Sequence, residues 1–354
     1  MLNFVRKMLL ILTFVVLCTK NAQTHDINEM ASLSTDEDPW VWSSSADNTT
    51  VNDNLPNFNV TGKRISEIKC LQYTWKYKCQ SLPESARESC TEDLAKFNYS
   101  KGPFVAAGDR SALPGEYPHV GALGWKTSSG TWLFKCGSVL ISPTFIITAA
   151  HCTRSSESDT SLADPLPKIV RFGHGGKLMD VNISRIFVYP LYMSPKKYYD
   201  VALMRLESSV NSIQPACLWS NPEFSVIGNQ ANLIGYNVIT GEDKKSSGLH
   251  SALVDVVDFN TCSELLRSQC NRLWCGVQSH QMCAGRLTGG VGSCQGDSGG
   301  PLQFGFNLSP TVEGMLYYVI GVISFGAGCA RPNTPTILSN VTSFLPWIEN
   351  IVWS

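Results

Sequence analysis

The sequence predicts an all-β globular region closed by one helix and preceded by a long segment that does not fold by itself. Three observations carry this. From about residue 105, short apolar runs such as Val120-Gly121-Ala122-Leu123-Gly124-Trp125, Gly137-Ser138-Val139-Leu140-Ile141 and Tyr318-Val319-Ile320-Gly321-Val322-Ile323 alternate with breaks of Gly, Pro, Ser and Asn. That spacing belongs to a β-sandwich or a pair of barrels. The last segment, Ser343 to Trp353, repeats its apolar residues at Phe344, Trp347, Ile348 and Ile351, which suits one amphipathic helix. Residues 23–69, by contrast, are Ser, Asp, Asn and Thr with few aliphatics, too little apolar surface to offset the entropy of folding.

Of the 354 residues, 43% are hydrophobic and only 16% charged, with a formal net charge of -1. This lightly charged surface recommends neither a nucleic-acid partner nor an electrostatic membrane partner. Arg6 and Lys7 precede an apolar run from Met8 to Cys18, followed by Thr19-Lys20-Asn21-Ala22. A basic start and an apolar stretch of 11 residues (8 to 18) fit a secretory leader over residues 1–22 and fall short of a bilayer span. An uncleaved anchor is the competing reading, and Lys20 leaves the cleavage point open. Export agrees with the cysteines: of 13, removal of Cys18 leaves 12, an even number that reads as a disulfide framework. Zinc ligation competes less well, because no CxxC pair stands at finger spacing. Sequons at Asn48, Asn59, Asn98, Asn182, Asn307 and Asn340 suit a secreted glycoprotein, the one at Asn307 weakened by Pro310.

The organisation expected is therefore a leader (1–22), a largely disordered pro-region and linker (23–104) and one large domain (105–354). Cys70, Cys79 and Cys90 fall together in the linker; three cysteines cannot close among themselves, so at least one bonds elsewhere.

Three separated runs in the large domain supply what acyl transfer needs. Thr148-Ala149-Ala150-His151-Cys152 offers a histidine beside a cysteine able to pin its loop. Asp200-Val201-Ala202-Leu203-Met204-Arg205-Leu206 sets a carboxylate at the mouth of an apolar strand, and Gly296-Asp297-Ser298-Gly299-Gly300-Pro301 holds a serine between glycines. A serine hydroxyl becomes a nucleophile when a base takes its proton and a carboxylate holds that base in the right tautomer. Taken singly, each residue is as easily structural: a histidine beside a disulfide, a capping aspartate.

Together, in the order His, Asp, Ser, the three runs resemble the chymotrypsin/trypsin family of serine peptidases over Val105 to Ser354, about seven tenths of the chain. Within it, the chain is most similar to arthropod proteases of haemolymph-cascade or venom type, on Lys69-Cys70-Leu71-Gln72-Tyr73 and Gly115-Glu116-Tyr117-Pro118-His119. The resemblance implies two six-stranded antiparallel β-barrels with a C-terminal helix. It makes His151 the general base, Asp200 its orienter, Ser298 the nucleophile, and the amides of Gly296 and Ser298 an oxyanion hole. It places Ser324 against Asp200 and gives the backbone of Ser324 and Gly326 to the substrate as an added strand. It pairs Cys136 with Cys152, Cys262 with Cys283, and Cys294 with Cys329. Cys217 matches the cysteine that retains a cleaved pro-segment; Cys90 is its nearest upstream candidate, with Cys70 and Cys79 as alternatives. Cys270 and Cys275 lie outside the common pattern.

Three departures from the family bear on specificity and control. The pocket-floor position six residues before the nucleophile is Gly292, not an aspartate, so an Arg or Lys substrate would bury an unpaired charge at a cost of several kcal/mol. Thr336 stands where a pocket-wall glycine is usual, while Gly326, the other wall glycine, is kept; the slot then favours small or medium apolar side chains, or failing that aromatics. Family precursors are cut after a basic residue, and the freed amine pairs with the aspartate before the nucleophile, here Asp297. In this chain Phe104-Val105 fits best as the cut. The segment from Gly173 to Asn182 lacks a carboxylate cluster, so no metal site is expected, and the chemistry requires no cofactor. Implied partners are protein substrates, an activating protease and serpin-type inhibitors, with the enzyme a monomer. A non-catalytic homologue acting as a binding module and a digestive enzyme of elastase or chymotrypsin type are the alternatives.

Overall fold

The computed structural model describes residues 55–59, 61–97, 105, 109–173, 176–221, 228–236, 239–240, 248–293, 296–309, 312–326 and 328–354. The expected leader, the sequons at Asn48 and Asn98, Phe104 and Cys294 lie outside them. The chain divides into Met1–Asp47, none of it described, and Asn48–Ser354, which carries all that follows. Among the described residues no helix is long and apolar enough to cross a membrane.

Twelve strands form two closed antiparallel barrels, as the resemblance implied. The first comprises β1 (Val120–Lys126), β2 (Trp132–Ser142), β3 (Phe145–Thr148), β4 (Ile169–Phe172), β5 (Met179–Val188) and β6 (Ala202–Leu206), joined in the order β1-β2-β3-β6-β5-β4. The second comprises β7 (Gln230–Gly235), β8 (His250–Val257), β9 (Gln281–Gly285), β10 (Pro301–Ser309), β11 (Val312–Gly326) and β12 (Thr336–Asn340). Its order, β7-β8-β9-β12-β11-β10 with β7 paired to both β8 and β10, repeats that of the first. Closing a small barrel brings backbones very near one another. At Gly121, where β1 crosses β4, a Cβ would lie 2.6 Å from Val170 Cγ1, so only glycine lets the sheet curl there.

The first core gathers Trp125, Leu140, Ile146, Phe172 and Leu203. It extends to Leu345 and Ile348 of the closing helix, whose described extent is Leu345–Val352. The second gathers Leu233, Leu302, Phe304, Phe306 and Tyr318, and here the linker departs from expectation. Residues 65–95 are not disordered: they form α1 (Ile65–Lys78) and α2 (Glu84–Ala95), which pack Leu71, Trp75 and Leu94 into that core. The other α-helices among the described residues are α3 (Phe259–Leu265) and the closing helix, α4. α1 begins with the Arg64 N–H donating to Glu67 Oε2 at 2.7 Å, one half of a capping exchange. Arg64 also grips Glu349 of α4 with two hydrogen bonds, 3.0 and 2.6 Å, and Trp353 Nε1 donates to Tyr73 Oη at 2.9 Å.

The pairing of Cys90 with Cys217 is corrected. Cys70 bonds Cys217, and Cys90 bonds Cys79 to staple α1 to α2. The reason is helical: Cys70 shares the buried face of α1 with Leu71 and Trp75, against the barrel, whereas Cys79 caps the far end beside α2. Nearness in sequence does not see which face of a helix a residue occupies. Elsewhere Cys136 bonds Cys152, Cys262 of α3 bonds Cys283 of β9, and Cys270 bonds Cys275. Cys329 is also disulfide-bonded.

Candidate active site

Each barrel delivers part of the site at the end of a strand. His151 sits in a single 3-10 turn, Ala150–Thr153, directly after β3, and the Cys136–Cys152 bond fixes that turn to β2. Asp200 lies just ahead of β6. The second barrel contributes Ser298, in the turn leading into β10, and Ser324, on β11.

The barrels meet backbone to backbone. The Gly137 N–H on β2 donates to the Ser298 carbonyl at 2.8 Å, and Thr148 Oγ1 donates to the Gly137 carbonyl at 2.8 Å. Gly299 has φ +84°, and a Cβ on it would collide with Thr148 Oγ1 and the Gly137 carbonyl oxygen. The glycine after Ser298 therefore exists to let two main chains touch.

Across this seam runs a chain of hydrogen bonds. Asp200 Oδ2 faces His151 Nδ1 at 2.8 Å, and Asp200 Oδ1 accepts the His151 N–H at 2.9 Å. Ser324 Oγ donates to Asp200 Oδ2 at 2.5 Å, and Ser339 Oγ donates to the Asp200 carbonyl at 2.7 Å. With Oδ2 accepting, Nδ1 carries the proton and His151 Nε2 is left basic, the tautomer a proton acceptor needs. Asp200 is 1% exposed; burial opposes its charge, but the attraction of His151 and the bonds from His151 and Ser324 outweigh it and hold the carboxyl below its usual range. Among the described residues, Ser298 Oγ donates to the Ser324 carbonyl at 3.4 Å and not to His151. A long bond of this kind before substrate arrives is common in such sites. Cys136, His151 and Cys152 offer ligand atoms within 4.8 Å of one another, yet both sulfurs are spent in a disulfide and leave no metal-binding thiolate.

The pocket residues converge as well. Gly326 of β11 and Thr336 of β12 are opposite each other in the ladder. Gly292, in a two-residue strand opposite Ile239, is buried, and a Cβ there would lie 3.2 Å from the Ala330 nitrogen. Thr336 Oγ1 is tied to Ser293 Oγ at 2.7 Å, both buried. Ser293 and Ser339 were not singled out in the sequence; the only signal for Ser293 was its place beside Gly292. None of these side chains is charged. Gly296 has φ +104°. Asp297 is buried, and Val105 packs against the second core as an internal residue with no free amine. The sequon asparagines Asn59, Asn182 and Asn307 are exposed, whereas Asn340 is half-buried and its Oδ1 accepts the Thr342 N–H.

Comparison with known proteins agrees with this geometry. The Trypsin family profile matches residues 106–348. The chain is 33% identical to serine protease snk of Drosophila melanogaster over 84% of this chain and 67% of that protein. It is 34% identical to serine protease Hayan of the same fly over 68% of this chain but only 38% of that protein. To human testisin it is 30% identical over 67% of this chain and 77% of testisin. The arthropod likeness expected from the sequence is thus found, and from barrels, site and relatives alike the chain belongs to the trypsin family of serine proteases.

Proposed function

We propose that the chain is a secreted serine endopeptidase, made as a zymogen, that cleaves after small or medium apolar residues. The observation that carries the catalytic part is the Ser324–Asp200–His151 chain of hydrogen bonds, with Ser298 joined to the same cluster through the Ser324 carbonyl. In this reading His151 Nε2 takes the proton of Ser298 Oγ as the oxygen attacks the peptide carbonyl, and Asp200 holds and stabilises the imidazolium. The amides of Gly296 and Ser298 receive the oxyanion, His151 then protonates the leaving amine, and water releases the acyl group from Ser298. Fluorophosphonate labelling of the activated protein tests this: Ser298 labels and the Ser298→Ala variant does not. An unlabelled activated protein would leave the non-catalytic binding module standing instead.

Activation by a cut between Phe104 and Val105 is supported by what surrounds the cut. Asp109 is already anchored to Arg286 at 2.8 Å, and Arg110–Ser111 is paired with Ser251 and His250 of β8. The described chain from Asp109 onward is therefore already fixed to the second barrel, leaving the amine freed by such a cut to pair with Asp297. An amino terminus of the active form other than Val105 refutes that cut.

Gly292 at the pocket floor and the Thr336–Ser293 pair support the apolar preference; a peptide library scanned at the residue before the scissile bond tests it, and preference for Arg or Lys rejects it. Backbone of Ser324 and Gly326 pairs with the substrate as an added strand. The Drosophila relatives and the long anchored pro-region support a regulated role in a body-fluid cascade or a venom over a digestive one, with an activating protease and serpin-type inhibitors as partners. Asn59, Asn182 and Asn307 are accessible for glycosylation.

A further inference from the structure

Asp200 reaches His151 because the chain turns sharply just before it. Tyr199 has φ 57°, a left-handed conformation unfavourable for a bulky residue, and the Val201 N–H donates back to the Tyr199 carbonyl at 2.8 Å. Such a turn persists where its surroundings hold it. Here the Tyr199 N–H donates to His280 Nε2 at 3.1 Å, and the two rings stack with centroids 3.9 Å and planes 10° apart. Tyr189 lies nearly parallel to the Tyr199 ring at 5.7 Å. His280 directly precedes β9 of the second barrel, is 8% exposed, and is fixed by the Asn340 N–H donating to its carbonyl at 3.0 Å. The residue before the first barrel's aspartate is thus anchored by an imidazole of the second.

We infer that His280 is a positioning residue for the triad: as a neutral acceptor of the Tyr199 amide it fixes the turn that presents Asp200 to His151, and its protonation releases that turn. The inference rests on the reading of Asp200 as the orienter of His151. Nε2 accepts only while the ring is neutral with its proton on Nδ1; an imidazolium has no acceptor. Burial disfavours the charged ring and lowers its pKa below the usual value. The ring borders a cavity of about 330 Å³ between segment 191–199 and the loop 271–278. Its charged lining residues are Lys196 on the first and Arg272 on the second, both cations; among the described residues no carboxylate lines it. Tyr198 and Tyr199 face the ring from the aspartate's segment and Phe344 from the turn before α4. Asp200 lies one residue beyond, its carboxylate committed to His151 and Ser324.

Hydrogen exchange on the intact full-length chain reads the anchor without turnover. The Tyr199 amide is expected to be protected at pH 7. His280→Phe keeps a ring but no acceptor and lowers that protection factor at least about ten-fold; His280→Gln, a non-titrating acceptor, retains most of it. In the activated enzyme, His280→Phe lowers kcat about ten-fold with little change in KM, and His280→Gln restores it. Activity of the unsubstituted enzyme falls more steeply in acid than that of His280→Gln, because only the native ring loses its acceptor on protonation. An unprotected Tyr199 amide at pH 7, or equal protection and equal acid slopes in the three proteins, overturns the inference. Failure of the activated protein to label with fluorophosphonate refutes the endopeptidase reading instead, and the exchange result still decides the role of His280.

Discussion

The first barrel carries His151 and Asp200 on short connections, that of His151 tied down by the Cys136–Cys152 disulfide. The second has the same strand order but is braced from outside, by α3 through Cys262–Cys283 and by the helical pair α1–α2 through Cys70–Cys217. It also carries Gly292, Ser293, Gly326 and Thr336, and the backbone of Gly296. One topology has thus been put to two uses: a mount for His151 and Asp200 that leans on Ser324, Ser339 and His280 of its neighbour, and a framework that carries Ser298 and the proposed pocket and is stiffened by added parts. The chemistry belongs to neither; it lies along the seam, where Ser324 of one barrel touches Asp200 of the other.

Breaking the seam at its centre should have the largest effect. Asp200→Asn keeps the shape but loses the tautomer control, and kcat is expected to fall on the order of 10⁴-fold with folding intact, read by steady-state hydrolysis of a peptide substrate. Next comes the external brace. Cys217→Ser opens a loop spanning 147 residues, which chain-entropy arguments value at about 5 kcal/mol. Denaturant unfolding of the intact chain measures that loss, and after the cut at Phe104 the α1–α2 fragment should separate on a non-reducing gel only in the variant.

A smaller effect sharpens the contrast through pH. His119, ahead of β1, is buried and bonds Gln303 of β10 at 2.8 Å; burial, opposed in part by that bond, lowers its pKa from 6.5 to about 4. A histidine whose folded pKa is depressed contributes fully above its unfolded value. Stability is therefore lost as pH falls from 6.5 to about 4, roughly 3 kcal/mol in all, and His119→Gln should flatten that part of the curve. The smallest change concerns the pocket. Thr336→Gly frees Ser293 and volume together, and relative kcat/KM should move several-fold toward larger apolar or aromatic side chains, near 1 kcal/mol. An unchanged preference would remove Thr336 from the specificity argument.

How much of this was legible follows from the range of each interaction. The all-β character was legible in short apolar runs, and the pair of barrels in the family resemblance; His151, Asp200 and Ser298, the residues the proposal uses, stand in short runs whose glycines, cysteine or apolar strand do their work locally. The helices α1 and α2 were not, since a mixed-charge stretch folds there only by burying Leu71 and Trp75 in the core that also holds Phe304 and Tyr318, far along the chain. The partner of Cys217 was misread for the same cause. Ser293 and His280 were missed because their partners, Thr336 and Tyr199, lie 43 and 81 residues away, and nothing local marks either.

The grip of Arg64 on Glu349, with the Cys70–Cys217 bond, joins the start of the folded chain to its end. In effect the molecule is a ring, and a ring may be opened once without coming apart. The peptide bonds between Phe97 and Asp109 are then the expendable ones, so a proteolytic nick there changes how the polypeptide is connected while leaving a single particle in solution. Were the chain cut there, whatever surface α1 and α2 expose would stay attached as a permanent address, available for recognition after the cut as before it.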